Sequence, residues 1–271
     1  MRWWRSFVLD PLRRADEEAR AQPGGGGKLV TVLVTAALML TLQHYLLTPT
    51  ALASTQHLLH EIGLDSLADK LNVPMRWSNG LIEDRRRYLA YWAFGCLITY
   101  LVIPALIVRL IFREKLADYG FKLRGAFTDG WIYLVFFGVV GPLVLLVSRS
   151  PEFQETYPFY QPDRGEPLWP HFWRWELLYA MQFLSLEFFF RGFMVHGLRR
   201  RIGACAIPVM MVPYCMIHFQ KPLPETLGAI IAGLVLGFMS LRTRSIILGA
   251  VIHVSVALSM DFASLWRQGL L

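Results

Sequence analysis

Charge is scarce in this sequence. Asp, Glu, Lys and Arg supply 17% of its 271 residues, against about 25% in a soluble domain. With 55% hydrophobic residues and a mean hydropathy of +0.40, that shortage excludes a soluble globular chain and implies a polytopic membrane protein. Cysteine is scarcer still. The three thiols, Cys96, Cys205 and Cys215, lie inside apolar runs, so no disulfide framework or CxxC zinc pattern is available. They read as small buried hydrophobes. Several signatures of chemistry are missing too. The lack of HExxH disfavours a zincin-like protease, and the lack of GxSxG disfavours an α/β-hydrolase nucleophile. Neither a Walker A loop nor GxGxxG occurs. The first residues lack the early apolar run and small-residue cleavage site of a signal peptide.

The charge that is present is unbalanced. A net +7 would suggest nucleic acid in a soluble protein. In a membrane chain it reads as basic cytoplasmic loops, and no nucleic-acid partner is expected. The expected fold class is an all-α transmembrane bundle of about seven spans, each near the length that crosses a bilayer. These are residues 29–47, 88–111, 131–147, 175–196, 204–219, 224–241 and 246–265. Residues 48–87 carry apolar pairs at helical spacing, which predicts an amphipathic helix at the interface. The distribution of Lys and Arg favours a cytoplasmic N-terminus, although Arg85, Arg86 and Arg87 fall on the opposite side. Three regions follow: a basic segment with Trp3, Trp4 and a Gly linker (1–28), N-terminal membrane helices (29–115), and a C-terminal helical core (116–271). Gly233 and Gly237 form a GxxxG step that lets helices approach closely in lipid.

Polar groups inside the last four spans carry the functional signal. Glu187 and Arg191 stand four apart in a run of Leu and Phe, so they share a helix face and can pair. His218 follows Tyr214-Cys215-Met216-Ile217, and His253 lies within another apolar helix. At 1.5 Å per residue, Glu187, His218 and His253 lie roughly 18, 22 and 12 Å from the proposed cytoplasmic ends. Each alone has a structural explanation. Three ionisable groups on three helices at a similar depth point instead to water activation, metal binding or proton relay.

The sequence Glu187-Phe188-Phe189-Phe190-Arg191-Gly192, then Tyr214-x-x-x-His218, then His253, resembles the CPBP family (CAAX prenyl protease and bacteriocin-processing, also called Abi or type II CAAX endopeptidases). The stretch 116–123, LADYGFKL, resembles the segment that precedes that family's core. The resemblance implies an intramembrane endopeptidase acting on a membrane-associated protein or peptide, without metal or cofactor. A glutamate and a histidine would activate water and a second histidine would stabilise the oxyanion. Glu187 is then the expected general base, assisted by His218, with Arg191 orienting it and His253 at the oxyanion. Two positions depart from the family pattern: its first glutamate is Leu186 and its last amide is Ala257. Glu225, which follows the His218 loop, is the favoured substitute carboxylate. Glu176, roughly 16 Å from Glu187, is expected at the membrane edge and Asp261 at a helix end or interface. The alternatives are an inactive scaffold or immunity protein that binds membrane peptides, and a proton-coupled transporter. The latter lacks inverted repeats.

Overall fold

The computed structural model describes residues 2–21, 26–70, 82–162 and 165–271. Among these residues every regular element is helical. After helical turns at 2–9, α1 is Asp10–Arg20 and α2 is Gly26–Leu46. Gly26 and Gly27, expected in the linker, belong to α2; the rest of that expected linker, 22–25, lies outside the described residues. Two short helices follow, α3 (Pro49–Glu61) and α4 (Asp65–Lys70). Local chemistry starts α3: Thr48 accepts from the Ala51 amide at 3.1 Å, and Pro49 occupies the first turn, where its missing N–H costs nothing. Residues 71–81 of the expected interfacial stretch lie outside the described residues.

The long helices make the bundle. α5 begins at Ile82–Leu97 and stays helical to 111, partly with π-helical winding; α6 is Gly130–Val147 and α7 is Pro151–Thr156. α8 starts as His171–Glu187 and continues helically to 202, with π winding over Phe188–His196. α9 (Ala206–Met216), α10 (Leu223–Thr243) and α11 (Ile247–Gln268) complete the chain. Five helices are long and apolar enough to cross a membrane: α2, α5 (as 85–111), α6, α10 and α11. About seven such spans were expected. The other two lie in α8, which carries Arg174, Glu176, Glu187 and Arg191, and in α9, which has only 11 regular residues. The physical reason is enclosure. Residues 185–199 of α8 are all buried, so protein rather than lipid surrounds their polar groups.

Phe188, Phe189, Phe190 and Phe193 are each 0% exposed and centre the core. Tyr100 of α5 packs on Phe189 and Phe190, with ring centroids at 4.8 and 5.9 Å. The segment 116–123 reaches the same helix. Phe121 meets Phe188 edge-on, and the Gly120 carbonyl accepts from the Ile246 amide at 3.0 Å just before α11. The GxxxG step explains how α9 and α10 come together. A Cβ on Gly233 would lie 2.9 Å from Met211 Cγ, and one on Gly237 would lie 3.0 Å from Ile207 Cγ2.

One end of the bundle is fastened by ions. Asp16 accepts from the Ala204 amide at 2.8 Å, while Glu18 pairs with Arg199 and Arg244. Glu114 takes Lys28 at 2.6 Å and Arg200 at 3.0 Å. The opposite end is strapped by the segment after α7. The amide of Phe159 donates to Asp261 at 3.2 Å, and the Tyr157 carbonyl accepts from Ser264 and Gln268.

Candidate active site

α8 sets the site because it carries a carboxylate and a guanidinium on adjacent turns. Arg191 Nη1 lies 2.9 Å from Glu187 Oε1, with side-chain exposures of 0% and 1%. Its alignment makes this an ion pair rather than a well-directed hydrogen bond. A buried pair of this kind repays its desolvation only with good geometry and further partners. Arg191 has two more. Nη2 donates to the Ala232 carbonyl at 3.4 Å, and the guanidinium carbon sits 4.0 Å above the Tyr214 ring. The planar cation therefore lies between the α8 carboxylate and the α9 phenol.

Glu187 also reaches α11. His253 Nδ1 is 3.0 Å from the same Oε1. A carboxylate accepts only, so this contact puts the imidazole proton on Nδ1 and leaves the Nε2 lone pair free to accept. Facing Nε2 at 3.4 Å is the Tyr214 hydroxyl. Phe183 stacks on the imidazole with centroids 4.6 Å apart and limits its rotation. Glu187 Oε2 is buried with no hydrogen-bond partner among the described residues. Its space exists because position 249 is glycine: a Cβ there would lie 3.0 Å from Oε2.

His218 stands beside this group on different partners. Its Nδ1 is 2.8 Å from the Tyr214 carbonyl, its ring meets Tyr214 edge-on at 4.9 Å, and its own carbonyl accepts from Thr226 at 2.6 Å. Donation from Nδ1 leaves the His218 Nε2 lone pair available as well. The structure thus brings Glu187, Arg191 and His253 into direct contact and places His218 one residue away, across Tyr214. The expected pairing of Glu187 with His218 is corrected. The imidazole on the carboxylate belongs to His253, because α11 packs against α8 at the level of Gly249.

Glu225 lies elsewhere. Both of its oxygens are 2.9 Å from the Tyr157 hydroxyl, which also takes Lys221 Nζ at 3.1 Å. Two further expectations are revised. Glu176 is 5% exposed and Asp261 0%, and Asp261 accepts from the Phe159 amide at 3.2 Å. Both are buried carboxyls, Asp261 held by the strap at Phe159, in place of a membrane-edge carboxylate and a helix-end aspartate. Leu186, at the family's first glutamate, is 5% exposed and packs in the main hydrophobic core. Tyr214 is the site residue that sequence reasoning missed. It served only as the aromatic of an aromatic-x-x-x-His pattern, and the signal was its hydroxyl.

The chain is an all-α polytopic helical bundle in which a carboxylate, a guanidinium and two histidines gather. Residues 167–259, from just before α8 into α11, match the family described as Type II CAAX prenyl endopeptidase Rce1-like. No curated protein and no solved structure matches the chain.

Proposed function

We propose that this protein is an intramembrane endopeptidase of the CPBP type, hydrolysing a peptide bond in a membrane-associated protein or peptide with Glu187 and His253 as the water-activating couple. The observation that carries this reading is the double contact of Glu187 Oε1, with Arg191 at 2.9 Å and His253 Nδ1 at 3.0 Å, inside the segment that matches a protease family. The buried carboxylate fixes the histidine tautomer and stabilises the imidazolium that forms when Nε2 takes a proton from water. Arg191 supplies the counter-charge. His218, with Nδ1 engaged, serves as the second imidazole for the leaving nitrogen.

The chemistry proposed is metal-free, since the Arg191 guanidinium at 2.9 Å would stand beside any cation bound to Glu187, and like charges repel strongly in a low-dielectric interior. The proposed topology places the N-terminus in the cytoplasm. The competing reading, an inactive scaffold that binds membrane peptides in the same fold, is favoured by one observation: positions 186 and 257 carry Leu and Ala, both buried.

The test is cleavage of a prenylated CAAX peptide by purified protein in proteoliposomes, with and without chelator. Wild type should cleave in chelator, and Glu187→Gln and His253→Ala should lose cleavage by at least about a hundredfold. His218→Ala should lose less. A cleavage rate unchanged by the Glu187 and His253 substitutions would assign the reaction elsewhere. Activity lost in chelator and restored by zinc would overturn the metal-free mechanism.

A further inference from the structure

Tyr214 is bound into the site at every edge. Its carbonyl holds His218 Nδ1 at 2.8 Å, its ring face lies 4.0 Å from the Arg191 guanidinium, and its hydroxyl is 3.4 Å from His253 Nε2. Phe190 packs edge-on against the ring at 5.2 Å, and Gly233 gives α10 room beside it, a Cβ there falling 3.2 Å from Tyr214 Cδ1. The ring is thereby fixed at 1% exposure. Its hydroxyl hydrogen is not fixed, because a phenolic O–H turns about the C–O bond without moving the ring. A cation over the ring face draws electron density from the phenol and strengthens its O–H as a donor.

We propose that the Tyr214 hydroxyl is a catalytic donor of the site, the hydrogen-bond donor to the oxyanion. This rests on the hydrolytic reading above. At rest the hydroxyl donates to His253 Nε2 and covers the base. When a substrate carbonyl arrives, the O–H turns to the carbonyl oxygen, and that turn uncovers the Nε2 lone pair for water. The water oxygen bonds to the carbonyl carbon while its proton passes to Nε2. The carbonyl π pair moves onto oxygen, where the Tyr214 O–H receives it as a hydrogen-bond acceptor. Collapse restores the carbonyl and breaks the C–N bond. As that bond breaks, the imidazolium gives its proton to the departing nitrogen, directly or by way of His218. One hydroxyl thus serves two acceptors in turn, and the base is freed only when a carbonyl occupies the site. The long 3.4 Å resting contact suits a bond that must be exchanged.

The experiment is Tyr214→Phe, which keeps the ring under Arg191 and between α9 and α10. In proteoliposomes with a prenylated CAAX peptide, kcat should fall by about a hundredfold, with KM and the melting temperature unchanged. In histidine-labelled protein in nanodiscs, the His253 Nε2 nitrogen resonance should move on loss of the hydroxyl, a readout that packing alone would leave in place. Unchanged kcat with an unchanged Nε2 resonance would overturn the inference and leave hydrolysis intact. A moved resonance with unchanged kcat would make the hydroxyl a tether for His253 and also overturn the oxyanion role. No cleavage by wild type, with the resonance still responding, would remove the hydrolytic reading and the inference with it.

Discussion

Glu187 and Arg191 illustrate how one contact can be read twice from a sequence and still lack its third member. Their spacing predicts the pair, and the pair forms. The histidine that completes it was not legible, because His218 and His253 are both far from Glu187 along the chain. Only the packing of α11 on α8 decides between them. Removing the two charges should give different results. Arg191→Ala leaves a carboxylate buried without its counter-ion, which costs about 3–5 kcal/mol and should lower both folded yield and melting temperature in detergent. Glu187→Gln is nearly isosteric and keeps an acceptor, so its melting temperature should fall by less while cleavage is lost. Equal melting shifts for the two, with cleavage intact, would show Glu187 to be structural only.

At the scale of helices, apolar length and glycine spacing were informative, and enclosure was not. α2, α5, α6, α10 and α11 each announce themselves by hydropathy because their outer faces meet lipid. α8 is enclosed by protein over residues 185–199, so its own composition need not look like a membrane span, and α9 is short, with 11 regular residues. The same blindness explains Glu176 and Asp261. Their separate positions suggest surface roles, whereas both are buried and the strap at Phe159 holds Asp261. The GxxxG step makes a sharper claim. Gly237→Leu would force a side chain into Ile207, where even a Cβ has only 3.0 Å. Overpacking of this kind costs about 1–3 kcal/mol, and it would push α9, with Tyr214 and His218, away from α11. Thermal melting should fall and cleavage should fall further, while Gly228→Ala, with nothing within 4 Å of its Cβ, should leave both unchanged.

For the molecule as a whole, Glu114 ties α2 to α8, since it binds Lys28 of α2, Tyr119, and Arg200 near the end of α8. Burial pushes its carboxyl up, but hydrogen bonds from Lys28 and Tyr119 and the charges of Lys28 and Arg200 outweigh that and hold it below the usual carboxylate range. A carboxyl lowered by folding contributes stability that is present above its unfolded pKa and lost as pH falls through its folded one. The melting temperature should therefore decline on acidification through and below the ordinary glutamate range. Glu114→Gln should start lower at neutral pH and show a shallower acid limb. An identical acid limb in the variant would place the titrating group elsewhere.

The stacking of Arg191 on Tyr214 has a consequence for descent. A guanidinium that answers a buried carboxylate on one side and floors an aromatic ring on the other cannot be exchanged for lysine, whose point charge has no plane to offer. Folding alone would then preserve Glu-x-x-x-Arg in any lineage that kept this bundle, whether or not it kept the reaction. Glu-x-x-x-Arg is thus a mark of how α8 packs on α9, and its presence by itself does not imply hydrolysis.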